Sequence, residues 1–176
     1  MQIVRFWLSR FSRLNSSVLN ARAVARGSTS SEDAVLGALL IGGGTLNPSV
    51  LQTLVIQSAG GVTKTLRRLE NAKHVRRVPD PADRRALLVE LTPEGRRAAA
   101  RTVDAVDAYY DELLADLGRA ELEQLGRLVR KVLDRLEALS GTPSDARLSS
   151  ALGLRNVGVR RQGPHRANKE NRFGTR

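Results

Sequence analysis

The sequence predicts a mainly α-helical fold with one small β-hairpin. Three observations carry this. Apolar residues recur at three- and four-residue steps over most of residues 3–139, the period of helices with one buried face. Residues 74–92 alone hold two short β-rich runs around a Pro/Asp turn. Aromatic residues make up only 3% of the chain, so Leu, Val and Ala must fill the core; its 176 residues suffice for one domain plus a tail.

The elements follow in order. Val4, Trp7, Leu8, Phe11 and Leu14 stand at helical spacing and predict an amphipathic helix over 3–26. This segment is rich in Arg and Ser and has no acid before Glu32, a composition shared with transit peptides. Arg5 and Arg10 interrupt any secretory apolar run, and a dimerisation or core helix is the preferred reading. Gly27 to Ser31 form a break, where a serine suits the N-cap of a helix over 32–41. Gly42-Gly43-Gly44 end that helix; G-x-G-x-x-G is absent and no strand precedes them, so a nucleotide loop is not supported. Asn47-Pro48 open a short helix over 48–55, with proline in its first turn. Gln57 and Ser58 make a turn, and Ser58 is a good N-cap for a helix over 59–72. The hairpin comes next. Thr92 and Pro93 then cap and open a long helix running to about Leu117. A last helix, 120–139, carries Leu122, Leu125, Leu128, Val129, Val132, Leu133, Leu136 and Leu139, a seam for helix-on-helix packing. From Ser140 onward the period stops, and Gly, Ser, Asn and Arg predominate, as in a disordered tail.

Charge narrows the function. The net charge is +11 and unevenly spread: residues 58–85 carry +5 and 141–176 carry +6, while 86–140 carry −3. Localised positive charge is the footprint of a polyanion partner, although a solvated basic surface would show the same balance. There is no cysteine and there are two histidines, His74 and His165. Thiol redox sensing and disulfides are excluded, and metalloenzyme chemistry is poorly supported. No cofactor or metal is expected, and no nucleophile–base pair suggests an enzyme. No apolar run is long enough to span a membrane.

The informative stretch is S-A-G-G-V-T-K-T-L-R-R-L-E, Ser58 to Glu70. A phosphate loop needs glycine directly before Lys-Thr and a strand before the loop; here Thr63 precedes Lys64 and the preceding segment is helical. A DNA-reading helix fits instead. Val62, Leu66 and Leu69 form one buried face, and Thr63, Lys64, Arg67 and Arg68 fall outside it. With the short helix before it, this makes a helix-turn-helix. Gly60 and Gly61 cost about 1 kcal/mol each in helix propensity, but leave backbone N–H groups bare for a phosphate. The hairpin adds a wing with Arg84 and Arg85 at its tip, and arginine is favoured in a minor groove.

At this point the chain resembles the MarR (multiple antibiotic resistance regulator) family of winged-helix transcription factors. The matching stretches are G-S-T-S-S-E-D-A-V-L, L-N-P-S-V-L, G-G-V-T-K-T-L-R-R-L-E and V-R-R-V-P-D-P-A-D-R-R-A-L-L-V-E-L-T-P-E-G, the last being the most specific. The resemblance covers 27–97 in motif and about 1–139 in layout. It implies a winged helix-turn-helix flanked by dimerisation helices, and a homodimer on a pseudo-palindromic operator, usually a repressor relieved by a small molecule. Bacterial cytoplasm, on the nucleoid, would be its location. The chain departs from the pattern at Lys73, where glycine is frequent; at Asp33, where an aromatic is common; and at Gln52, where a small residue is usual.

The expected layout is residues 1–31 and 98–139 for dimerisation, 32–97 for DNA and 140–176 as a basic tail. Ser58, Gly60, Thr63, Lys64, Arg67, Arg68, Arg76, Arg84 and Arg85 are the candidate DNA contacts. Arg67 or Arg68 has the alternative of pairing with Glu70 or the wing, and Arg76 and Arg77 that of solvating a strand. The family's tip arginine most often matches Arg85, which favours it for the minor groove. Asp80 and Asp83 read as turn-capping groups and ion-pair partners within the wing; His74 reads as a helix-end residue. Leu39, Leu40, Tyr109 and Tyr110 are candidates to line a ligand site between the dimerisation helices and the winged domain. The alternative function is a non-specific basic DNA-binding or architectural protein, acting through the tail.

Overall fold

The computed structural model describes residues 2–55, 58–83 and 85–140. Residues 141–176 of the predicted tail, Gln57 of the predicted turn and Arg84 of the wing tip lie outside them, while Ser140 ends the last helix. Among the described residues the elements run α1 (Gln2–Ala25), α2 (Ser30–Ile41), β1 (Thr45–Leu46), α3 (Pro48–Leu54), α4 (Ala59–Asn71), β2 (Val75–Pro79), β3 (Leu87–Leu91), α5 (Pro93–Leu113) and α6 (Arg119–Ser140), with α2 to α5 packed against the small sheet.

Local chemistry sets most of the helix starts. Thr29, not a serine, caps α2. Its Oγ1 accepts from the Glu32 N–H at 3.2 Å, while Glu32 Oε2 accepts from the Thr29 N–H at 2.8 Å. The reciprocal pair needs Glu three residues after the cap, which selects Thr29 over its serine neighbours. Asn47 caps α3 ahead of Pro48, Ser58 caps α4, and Thr92 caps α5 ahead of Pro93. α5 ends at Leu113, short of the expected Leu117, because the apolar spacing runs on through a turn in which Leu114 and Leu117 are half-buried.

The hairpin is part of a three-stranded antiparallel sheet in the order β1-β3-β2. β2 and β3 pair from Val75↔Leu91 to Pro79↔Leu87, and β1 adds Thr45↔Glu90 and Leu46↔Val89. Sequence reading misses β1, since two residues show no period. It forms because Gly43 and Gly44, at φ +83° and +97°, turn the chain back towards β3, and the Gly44 carbonyl accepts from the Leu91 N–H at 2.8 Å. Pro79 sits on the edge strand β2, where a missing N–H is tolerated.

The core holds Val35, Leu39, Leu51, Leu66 and Val89, all essentially inaccessible to solvent. α2 supplies the middle of it and packs on α3, α4 and α5. α1 and α6 differ. Only Ala23 of α1 is buried, and no described residue of α6 is. Trp7, Phe11, Leu128 and Leu136 each keep more than half of their surface in water, at 56%, 55%, 55% and 58%. α1 is tied to α5 by polar contacts: Tyr109 donates to Asn15 Oδ1 at 2.7 Å, Arg22 pairs with Glu112 at 2.7 Å, and the Arg22 guanidinium lies 4.9 Å from the Tyr109 ring centre.

Candidate nucleic-acid interface

α3 and α4 pack against each other as the helix pair of a helix-turn-helix. The Ser58 side chain accepts from the Gly61 N–H at 3.2 Å and fixes the start of α4. Val62, Thr65, Leu66 and Leu69 are buried; Thr63, Lys64, Arg67 and Arg68 are exposed on the opposite side. The Thr63 hydroxyl donates to the Ala59 carbonyl at 2.9 Å, which leaves its oxygen free to accept. A Cβ on Gly60 would meet nothing within 4 Å, so no contact inside the chain requires glycine there.

The far end of α4 is closed by backbone bonds from Lys73 N–H to Glu70 O and His74 N–H to Leu69 O, both 2.9 Å. This closure needs a left-handed residue, and Lys73 takes it at φ +59°. His74 then reaches α5: its carbonyl accepts from the Thr92 N–H at 3.0 Å and lies so close to Gly95 that any Cβ there would overlap it. Thr92 and Gly95 thereby lock the exit of the wing onto the end of α4.

Ion pairs sort the arginines. Arg77 pairs with Glu70 and Arg76 with Glu90, each at 2.7 Å. Glu70 is thus taken by the strand, not by Arg67 or Arg68. Among the described residues Lys64, Arg67, Arg68 and Arg85 form no ion pair. Arg76 and Arg77 are bound to carboxylates, which lowers their local charge. At the wing tip Asp80 Oδ1 accepts from the Ala82 N–H at 2.8 Å and Asp83 Oδ1 from the Arg85 N–H at 2.9 Å. Both aspartates therefore cap turns, and neither forms an ion pair among the described residues.

A cavity of about 430 Å3 lies between α1, α2, α5 and the end of α3. Leu39, Leu40, Tyr109 and Tyr110 do not line it. Leu39 is spent in the core, Leu40 packs against that core, and the two tyrosines hold Asn15 on α1. Leu19, Ile41, Val103 and Val106 form much of its wall, with Asp33 and Thr102 at one side. Asp33 is 8% exposed and is held by Arg26, by Ser28 Oγ at 2.8 Å and by Thr102 Oγ1 at 3.4 Å. In the sequence Asp33 stands out only as a departure from pattern. Asp33 follows Glu32 in the first turn of α2, where an acidic residue is ordinary, so nothing in the sequence marks it as buried.

A short helix, a turn, an exposed basic helix and an arginine-tipped antiparallel hairpin define a winged helix-turn-helix DNA-binding regulator. The comparisons with known proteins agree. The MarR family matches residues 27–86. The transcriptional regulator HosA of Escherichia coli O111:H- is 36% identical over 91 residues, 49% of this chain and 67% of that protein. The transcriptional activatory protein BadR of Rhodopseudomonas palustris is 33% identical over 123 residues, 67% of this chain and 70% of that protein. Among solved structures, a point mutant of MarR from E. coli complexed with operator DNA is similar with TM-score 0.64 and 25% identity, covering 74% of this chain and 93% of that one. A probable transcriptional regulator from Pseudomonas aeruginosa is similar with TM-score 0.62 and 26% identity, covering 73% and 96%. The chain belongs to the MarR family of transcriptional regulators. It is not an enzyme. No helix among the described residues is long and apolar enough to cross a membrane.

Proposed function

We propose that the chain acts as a homodimer that binds a pseudo-palindromic operator as a repressor and is released by a small molecule. The observation that carries the DNA contact is the exposed Thr63, Lys64, Arg67 and Arg68 face of α4, whose cations form no ion pair among the described residues. In this reading α4 enters the major groove, with Thr63 and Lys64 at base edges and Arg67 and Arg68 on bases or backbone. The bare Gly60 and the capped Ser58 end present N–H groups to a phosphate. Arg85 enters the adjacent minor groove, and Arg76 supports the backbone contact.

The dimer rests on α1 and α6. Their exposed apolar side chains form a long stripe on each helix, larger than a monomer leaves in water without purpose. Leu122, Leu125, Val129, Val132, Leu136 and Leu139 follow alternating three- and four-residue steps, the seam of a coiled-coil-like pair. Residues 1–31 and 98–139 then form the dimer unit, 32–97 the DNA unit, and 140–176 a basic extension in a protein of the bacterial cytoplasm, on the nucleoid. Two copies put two α4 helices about one helical turn of DNA apart, roughly 34–36 Å. The relative named an activatory protein makes the sign of regulation a separate measurement.

The test is fluorescence-anisotropy binding to the duplex upstream of the chain's own gene and to a shuffled duplex, at about 150 mM salt. Full-length protein, a 1–140 truncation and Arg85→Ala are compared. The proposal expects the upstream duplex to win by about 10³, to keep that margin without the tail, and to lose it with Arg85→Ala. Equal binding of both duplexes, abolished by truncation, would instead establish a non-specific binder acting through the tail.

A further inference from the structure

We propose that the cavity between α1, α2 and α5 is a site for a small apolar cation, such as an aryl-alkylammonium, with Asp107 as its counter-charge. This rests on the ligand-responsive reading above and narrows it to one chemical class. The cavity, about 430 Å3, has room for a one- or two-ring molecule. Its walls are largely aliphatic, including Leu19, Ala38, Ile41, Val103 and Val106. Such walls favour an apolar body.

Three ionisable side chains reach the cavity: Arg26, Asp33 and Asp107. The first two neutralise each other. Arg26 donates to Asp33 Oδ2, and Asp33 Oδ1 accepts from Ser28 and Thr102. An anionic ligand would have to draw Arg26 away and leave a carboxylate that is only 8% exposed without its cation, which is strongly unfavourable. Asp107 is different. It is exposed at the cavity wall, and among the described residues it has no hydrogen bond or ion pair. Arg22, in the last turn of α1, is already held by Glu112.

The cavity therefore keeps one uncompensated negative charge beside an apolar wall. A cationic head gains from it, an anionic head is repelled, and a neutral one is indifferent. The protein's overall charge of +11 opposes this at long range. At physiological ionic strength, charges more than about 8 Å away are largely screened, so the local carboxylate decides.

The experiment is isothermal titration calorimetry of the full chain at about 150 mM salt with three probes of similar shape: phenethylammonium, phenethyl alcohol and 3-phenylpropionate. The same protein is assayed for binding to the upstream duplex. Wild type is expected to bind phenethylammonium about tenfold or more tighter than either other probe. Asp107→Asn should erase that preference and Asp107→Lys reverse it. Light scattering of wild type and both variants checks that the dimer, to which α5 belongs in the proposed function, is kept, so a changed probe preference reads the charge at residue 107 and not a lost assembly. Equal or tighter binding of 3-phenylpropionate overturns the cation assignment and leaves the cavity a ligand site of another class. A preference that survives Asp107→Asn overturns the role of that carboxylate. If sequence-specific DNA binding is intact and no probe binds at millimolar concentration, the cation site is overturned while the DNA-binding half of the proposed function stands.

Discussion

Replacing Lys73 with glycine should make the protein more stable. Lys73 holds φ +59° at the end of α4. For a residue with a Cβ the left-handed conformation costs about 1–2 kcal/mol, a cost glycine does not bear. Against this, glycine gives the unfolded chain more freedom, about 0.4–1 kcal/mol. The difference predicts a gain of about 0.5–1 kcal/mol for Lys73→Gly. The two backbone bonds that close α4, Lys73 N–H to Glu70 O and His74 N–H to Leu69 O, use no side-chain atom and remain. The Lys73 side chain is exposed and forms no ion pair among the described residues, so its removal subtracts little. Lys73→Ala is the control: it removes the ammonium but keeps the Cβ. Urea unfolding at one fixed protein concentration measures all three proteins, since a dimer's stability depends on concentration. The expected result is a higher midpoint for Lys73→Gly with an unchanged slope, and a midpoint for Lys73→Ala close to wild type. If Lys73→Gly were no more stable than Lys73→Ala, the strain assigned to this position would not exist.

Three further outcomes are expected. Gly60→Ala should stabilise α4 by up to about 1 kcal/mol, since its Cβ meets open space, yet weaken DNA binding; anisotropy and urea melts should move in opposite directions, and unchanged affinity would remove Gly60 from the interface. Gly95→Ala should destabilise by about 3 kcal/mol or more, because its Cβ would overlap the His74 carbonyl that anchors Thr92; a wild-type unfolding curve would contradict that packing. The double change Leu125→Glu with Val132→Glu, at two exposed α6 seam positions, should give a monomer by light scattering and reduce operator affinity by orders of magnitude; a dimer that persisted would move the interface off α6.

Part of this structure is legible in short windows of sequence. Ser58 and Thr92 cap the helices that their positions predict, and Val62, Leu66 and Leu69 face the core while Lys64, Arg67 and Arg68 do not. Both features come from interactions within a turn or two of helix, where spacing in sequence is distance in space. Lys73 stands out in the sequence through the family resemblance, which has glycine frequent there, and its φ of +59° supplies the physical reason.

Other features depend on how separate elements pack against one another. The pairing of Glu70 with Arg77, not with Arg67 or Arg68, follows from how the sheet lies against α4. Tyr109 and Tyr110 meet Asn15 more than ninety positions away, and so join two helices where the sequence suggests a ligand contact. Leu39 and Leu40 share an apolar helix with residues that do line the cavity, and only the packing of α3, α4 and α5 around α2 decides which of its faces opens. The sequence by itself determined the helices, the Ser58 and Thr92 caps, the wing and the basic face of α4, because period and capping are local chemistry. Tertiary structure alone decided strand β1, the partners of Arg76 and Arg77, the Arg26–Asp33–Thr102 network and the lining of the cavity. Those choices depend on how separate elements lie against one another, which the spacing within any one element does not encode.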